Sequence, residues 1–293
     1  MKPLQKFPRR AVFVLMLIGW VPPAQNVRAN AQATSKTVQQ LIDDLTTIDG
    51  QSIGINSSAV YDGFLAEDAK GHFGMGVLGI ETPTAALQVR ELVRRGPAAL
   101  PELLRHLDDA RLTKLAVGND ARAKTRQVGL NAFMWEMFSD EYDPRTRPEI
   151  KKGSPRAWQK SLEKPFEGSY QVRVGDVCFV IIGQIVNRDL YAVRYQPSAG
   201  LIVNSPIKTP ALADEVRRDW ENVGLETFQS SLVGDIDMAH TPHSSDWDYY
   251  VRDRAFGALT RLRYYFPETY KALSGEDLRT RRDFEAHHGD PST

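Results

Sequence analysis

The stretch Leu92–Arg111, LVRRGPAALPELLRHLDDAR, reads as the end of one helix, a tight turn and the whole of a second helix. Arg94-Arg95-Gly96 closes the first helix. Pro97 fits the first turn of the next, where its missing N–H costs nothing. Leu100, Leu103, Leu104 and Leu107 then form one apolar stripe that ends at Asp108-Asp109. Upstream, Pro83 and Thr84 open the first helix, with Leu87, Leu92 and Val93 as its inward residues. Two antiparallel helices joined so tightly cannot bury both apolar faces alone, so further helices are expected on either side.

The surrounding sequence supplies them. Before the pair, Ser35 or Thr37 caps a helix carrying Val38, Leu41, Ile42, Leu45 and Ile48 at helical offsets, and Gly50 stops it. Val60, Tyr61, Phe64 and Leu65 suggest one short helix, after which Gly71, Gly74, Gly76 and Gly79 interrupt regular structure. After the pair, Leu130, Phe133, Met134, Met137 and Phe138 make another stripe, and residues 144–168 read as a basic, exposed insertion. Thr209-Pro210 begins a helix running to about Asn222. Ser245 or Asp246 caps a last long one, which carries Tyr249, Phe256, Leu259, Leu262 and Tyr265 and ends at Pro267.

The block from Gly175 to Pro206, GDVCFVIIGQIVNRDLYAVRYQPSAGLIVNSP, is the least ordinary. Its β-branched residues allow a buried strand at 177–182. Asp176 as N-cap, with Cys178, Ile181, Ile182 and Ile185 at helical offsets, equally allows a buried helix. The helix is preferred because the neighbouring elements are helical, and it gathers Gln184, Asn187 and Arg188 at its carboxyl end. Tyr191, Val193 and Tyr195 then alternate as a short extended segment that residues 200–203 can pair with as a β-hairpin. Gln184, Asn187, Arg188 and Tyr195 are the candidate binding residues of this block.

The pair at 83–111 resembles a HEAT-type α-solenoid repeat, in which a glycine-proline turn leads to a leucine-rich second helix ending in an acidic pair. The 175–206 block is similar to one in uncharacterised exported bacterial proteins that carry such a pair, a family with no assigned chemistry. The resemblance implies a mainly α, HEAT-like helical domain with irregular loops. The expected organisation is a leader at 1–31, an N-terminal helix and glycine-rich connection at 32–82, the helical domain at 83–270, and a charged, partly frayed tail at 271–293.

The leader follows from Lys2, Lys6, Arg9 and Arg10 before the apolar run Ala11–Ile18 and the small-residue sites at Ala29-Asn30-Ala31 and Ala31-Gln32-Ala33. That run is about half the ~20 residues a membrane-spanning helix needs, so it reads as a cleaved signal peptide. Export to the periplasm or the medium is therefore expected, with no transmembrane segment in the mature chain. The 293 residues hold 37 basic and 37 acidic side chains, and losing Lys2, Lys6, Arg9, Arg10 and Arg28 leaves 32 basic against the same 37 acids. A mature protein of that balance is poorly suited to nucleic acid. Cys178 is the sole cysteine, so an internal disulfide is excluded, and its apolar neighbours predict a buried, inert thiol.

Catalytic signatures are sparse. Gly50-Gln51-Ser52-Ile53-Gly54 fits G-x-S-x-G, but a helix rather than a strand precedes it, and Ser161-Leu162-Glu163-Lys164 lacks the companions of an S-x-x-K site. No Walker loop, dinucleotide fingerprint or CxxC pair occurs, and no cofactor is implied. The one concentration of ligand types is GDIDMAHTPHSSDWD, which places Asp235, Asp237, His240, His243, Asp246 and Asp248 within fourteen residues. Imidazole with carboxylate suits a divalent transition ion, and Asp237, His240 and His243 are the candidate ligands. The sequence thus favours an exported interaction or scaffold module, with another protein or an envelope component as partner. The alternative is a metal-dependent hydrolase acting on the envelope through residues 235–248.

Overall fold

The computed structural model describes residues 36–49, 64–67, 86–118, 168–188, 190–195, 201–240 and 248–288, all within the unit Lys36–Thr293. The expected leader at 1–31, the glycine-rich connection with its G-x-S-x-G motif, the stripe at 130–138, the S-x-x-K motif, most of the basic insertion, His243 and Asp246 lie outside the described residues.

The described chain is mainly helical. In order it forms α1 (Val38–Asp44), α2 (Leu87–Arg95), α3 (Leu100–Arg105), β1 (Leu112–Gly118), β2 (Ser169–Arg173), α4 (Val174–Val186), β3 (Val193–Tyr195) and β4 (Leu201–Val203). Then follow α5 (Pro210–Trp220), α6 (Leu225–Asp237), α7 (Asp248–Tyr265), α8 (Pro267–Ala272) and α9 (Gly275–His288). Short 3₁₀ turns extend α1, link α2 to α3 and continue α6 through Met238–His240.

Thr37 caps α1: its hydroxyl accepts from the Gln40 N–H at 3.2 Å while Gln40 Oε1 accepts from the Thr37 N–H at 2.9 Å. This reciprocal box satisfies two N–H groups that the helix itself leaves open. In the α2–α3 pair, Val89, Leu92, Val93, Leu100, Leu103, Leu104 and Leu107 are all buried. Leu87, expected inward, stands 79% exposed because it is the first residue of α2 and falls off the stripe that Val89, Leu92 and Val93 define. Gly96 takes φ +56 in the turn, and the ring of Tyr265 occupies the space a side chain there would need. The Tyr265 hydroxyl donates to the Val93 carbonyl, which locks the turn onto α7.

Helix α4 is the centre. All thirteen of its residues are buried, including the polar Asp176 and Gln184. A fully buried segment can be a helix because it satisfies its own backbone hydrogen bonds, whereas a strand there would need partners on both edges. Asp176 is the third residue of α4, not its cap: Arg173 holds the cap position, and Asp176 Oδ2 reaches back to accept from the Arg173 N–H at 2.9 Å. Gly175 lets α4 approach the end of α3, since a methyl group at this position would lie 2.5 Å from the Leu107 carbonyl oxygen. α4 packs against α2, α3 and β2.

Two small antiparallel sheets flank this helix. The expected hairpin is present, with Val193 opposite Val203 and Tyr195 opposite Leu201. The pairing of β1 with β2 was not signalled by the sequence: Ala116 faces Gln171 and Val117 faces Tyr170, with an irregularity between Leu112 and Ala116. Helix α6 was not signalled either. At the carboxyl end, the charged stretch from Gly275 is helical to His288 and anchored by the buried Phe284, whose ring meets Phe256 edge-on at 5.5 Å. None of the described helices is long and apolar enough to cross a membrane.

Candidate functional site

The carboxyl end of α4 brings three of the candidate binding residues to one place. Asn187 ends the helix with φ +59, a conformation that asparagine tolerates better than other residues with a side chain. Its amide nitrogen donates to Asp235 Oδ2 and to the Arg254 carbonyl, both at 2.9 Å, and its Oδ1 accepts from Arg261 Nη1 at 2.9 Å. Arg188 Nη1 donates to Asp235 Oδ2 at 2.6 Å and its Nη2 to Ser231 Oγ at 3.1 Å, while its guanidinium lies 5.4 Å from the Trp220 ring. Gln184 contributes both of its oxygens. Its backbone carbonyl accepts from Arg261 Nε at 2.7 Å and its side-chain oxygen from the Leu65 N–H at 3.3 Å.

The residues that complete this node, Asp235, Arg254 and Arg261, come from α6 and α7. Asp235 is 3% exposed, and its Oδ1 accepts from Arg254 Nε at 3.2 Å. Charges taken out of water are tolerated only when paired and hydrogen-bonded, and here one carboxylate holds two guanidinium groups. The node ties α4, α6 and α7 together. Tyr195 lies on β3, opposite Leu201.

A second polar group lies at the amino end of α4. Tyr170 donates to Asp176 Oδ2 at 2.7 Å, and Lys208 Nζ sits 4.8 Å above the Tyr170 ring. Burial pushes the Asp176 carboxyl above the usual carboxylate range, against hydrogen bonds from Ser205, Tyr170 and the Arg173 N–H that hold it down. Burial likewise pushes the Cys178 thiol up, which leaves it protonated and unreactive.

A third group is open to solvent. Asp237 ends α6, His240 ends the following turn and Asp277 lies in the first turn of α9. One ligand atom from each comes within 4.8 Å of the other two. His240 Nδ1 lies 3.6 Å from Asp277 Oδ1 and 4.0 Å from Asp237 Oδ1, and its Nε2 meets Thr280 Oγ1 at 2.9 Å. Burial pushes the Asp277 carboxyl up, and the neighbouring Asp237 charge adds to that. Of the three candidate metal ligands, Asp237 and His240 are therefore adjacent, and His243 lies outside the described residues. Asp277 was missed because it arrives from a helix thirty-seven residues along the chain from His240.

Comparison of the chain with protein-family models, with curated proteins and with solved structures finds no match to any of the three.

Proposed function

We propose that the mature chain is an exported interaction or scaffold module built around the HEAT-like pair α2–α3. The reading is supported by how the polar residues of α4 are used: Gln184, Asn187 and Arg188 bond inward and make a rigid frame. The observation that carries it is Leu87, 79% exposed at the head of the pair while the other apolar residues of α2 are buried. Covering a leucine of this exposure is worth about 1.5–3 kcal/mol to whatever partner does so.

Photo-crosslinking tests it. A photoreactive residue placed at Leu87 in protein expressed in its native host should give one discrete adduct, and the same residue at the exposed Lys271 should not. No adduct at Leu87, or the same adducts at both positions, would contradict the reading. Export has its own check, because mass spectrometry should find an N-terminus near Asn30, Gln32 or Thr34. Intact Met1 in a soluble cytosolic pool would remove the export step.

A further inference from the structure

The grouping of Asp237, His240 and Asp277 serves no role in the interaction reading, and its atoms converge on one point. His240 Nε2 lies 2.9 Å from Thr280 Oγ1, a hydroxyl that also reaches the Glu276 carbonyl at 3.3 Å. Among the described residues, His240 Nδ1 faces the carboxylate oxygens of Asp277 and Asp237. With a lone pair on Nδ1, three electron-rich atoms would converge on one point. A cation placed there would meet all three at once.

The geometry points to a divalent cation of the zinc class held by Asp237, His240 Nδ1 and Asp277, with Thr280 positioning the imidazole. The donor set is mixed: one imidazole nitrogen and two carboxylates, a combination that suits zinc and its neighbours among transition ions better than calcium or magnesium, which prefer oxygen alone. Metal on Nδ1 would leave the imidazole proton on Nε2, where Thr280 Oγ1 at 2.9 Å is placed to accept it and fix the ring orientation, as metal-bound imidazoles require. The three ligands come from the end of α6, the turn after it and the first turn of α9. Bound metal would therefore pin the last helix to the body of the protein. Three protein ligands on a solvent-open group leave further coordination positions for water or for an anionic group of a partner.

Calorimetric titration of zinc into metal-stripped, full-length mature protein tests the site. One equivalent should bind, and hydrogen exchange across residues 276–286 should slow when it does. His240→Ala and Asp277→Asn should each weaken binding at least tenfold, and Thr280→Val should weaken it by about 10–100-fold through loss of ring orientation. A variant with both His287 and His288 replaced by alanine should bind as the wild type does, which separates this site from the histidine pair near the chain end. Circular dichroism of each variant establishes that it is folded, and Asp237→Asn provides a second ligand variant if Asp277→Asn is not. Absence of one-to-one binding, binding unchanged by loss of His240, or binding lost only in the His287/His288 variant would overturn the proposal.

Discussion

Asp235 and Asp237 are two residues apart on one helix, yet they meet opposite environments. Asp235 is 3% exposed and holds Asn187, Arg188 and Arg254, whereas the side chain of Asp237 is 67% exposed beside His240 and Asp277. Two positions along an α-helix are about 200° apart, so they point to opposite sides of it. Helical phase alone therefore turns one acidic run in the sequence into an internal strut and an outward carboxylate beside a histidine. Residue type and spacing place all these acids in one cluster, and only the element they sit on separates them.

The difference has measurable consequences, the largest at Asp235. Asp235→Ala should cost about 3–5 kcal/mol in urea unfolding, because it takes away the buried carboxylate that Arg188 and Arg254 share. Asp237→Ala should stay within about 0.5 kcal/mol of wild type in the metal-free protein. Equal losses would mean that the two aspartates are not divided as the helix divides them.

Leu104→Ala should cost about 2–5 kcal/mol, since this residue of the α2–α3 pair is buried in the core. A loss below about 1 kcal/mol would move it out of the stripe.

A third acid, Asp176, extends the contrast to pH. Its carboxyl is raised in the folded state by burial, so the stability it contributes is present at low pH and is lost as pH rises above the ordinary carboxylate range through the folded-state value. Asp176→Asn should remove that part of the pH dependence. Chemical unfolding of wild type and variant at a series of pH values checks this, and curves of identical shape would contradict it.

The smallest effect is expected at Cys178, where a thiol reagent should give no labelling of folded protein within the time that fully labels denatured protein. Rapid labelling without denaturant would place the thiol outside the core in which α4 holds it.

Much of this fold can be read from single segments. The leucine stripe of α3, the Thr37 cap, the proline start of α5 and the alternation of β3 are local signals, and each element follows from a few neighbouring residues. Strand β1 is different. Its partner β2 is more than fifty residues away, no turn sequence connects them, and Leu112-Thr113-Lys114-Leu115 gives only a weak alternation.

Helix α6 was hidden for another reason. Phe228, Leu232 and Ile236 keep a helical period, but Ser230, Ser231 and Gly234 dilute it, and the buried position between Leu232 and Ile236 is filled by Asp235. An acid standing where an apolar residue belongs was the available clue, and its meaning depended on Arg188 beyond the end of α4 and Arg254 of α7, which no local reading could supply. The open site was half legible. Asp237 and His240 are neighbours in sequence, while Asp277 and Thr280 come from a distant stretch whose charge suggested a frayed tail.

The division between the two aspartates is tested most directly by thermal unfolding of Asp235→Asn and Asp237→Asn, each with and without one equivalent of zinc. Asp235→Asn should melt well below wild type and still be raised by zinc, whereas Asp237→Asn should melt with the metal-free wild type and gain nothing from the metal. A normal melting temperature for Asp235→Asn, or a full zinc response in Asp237→Asn, would contradict the account.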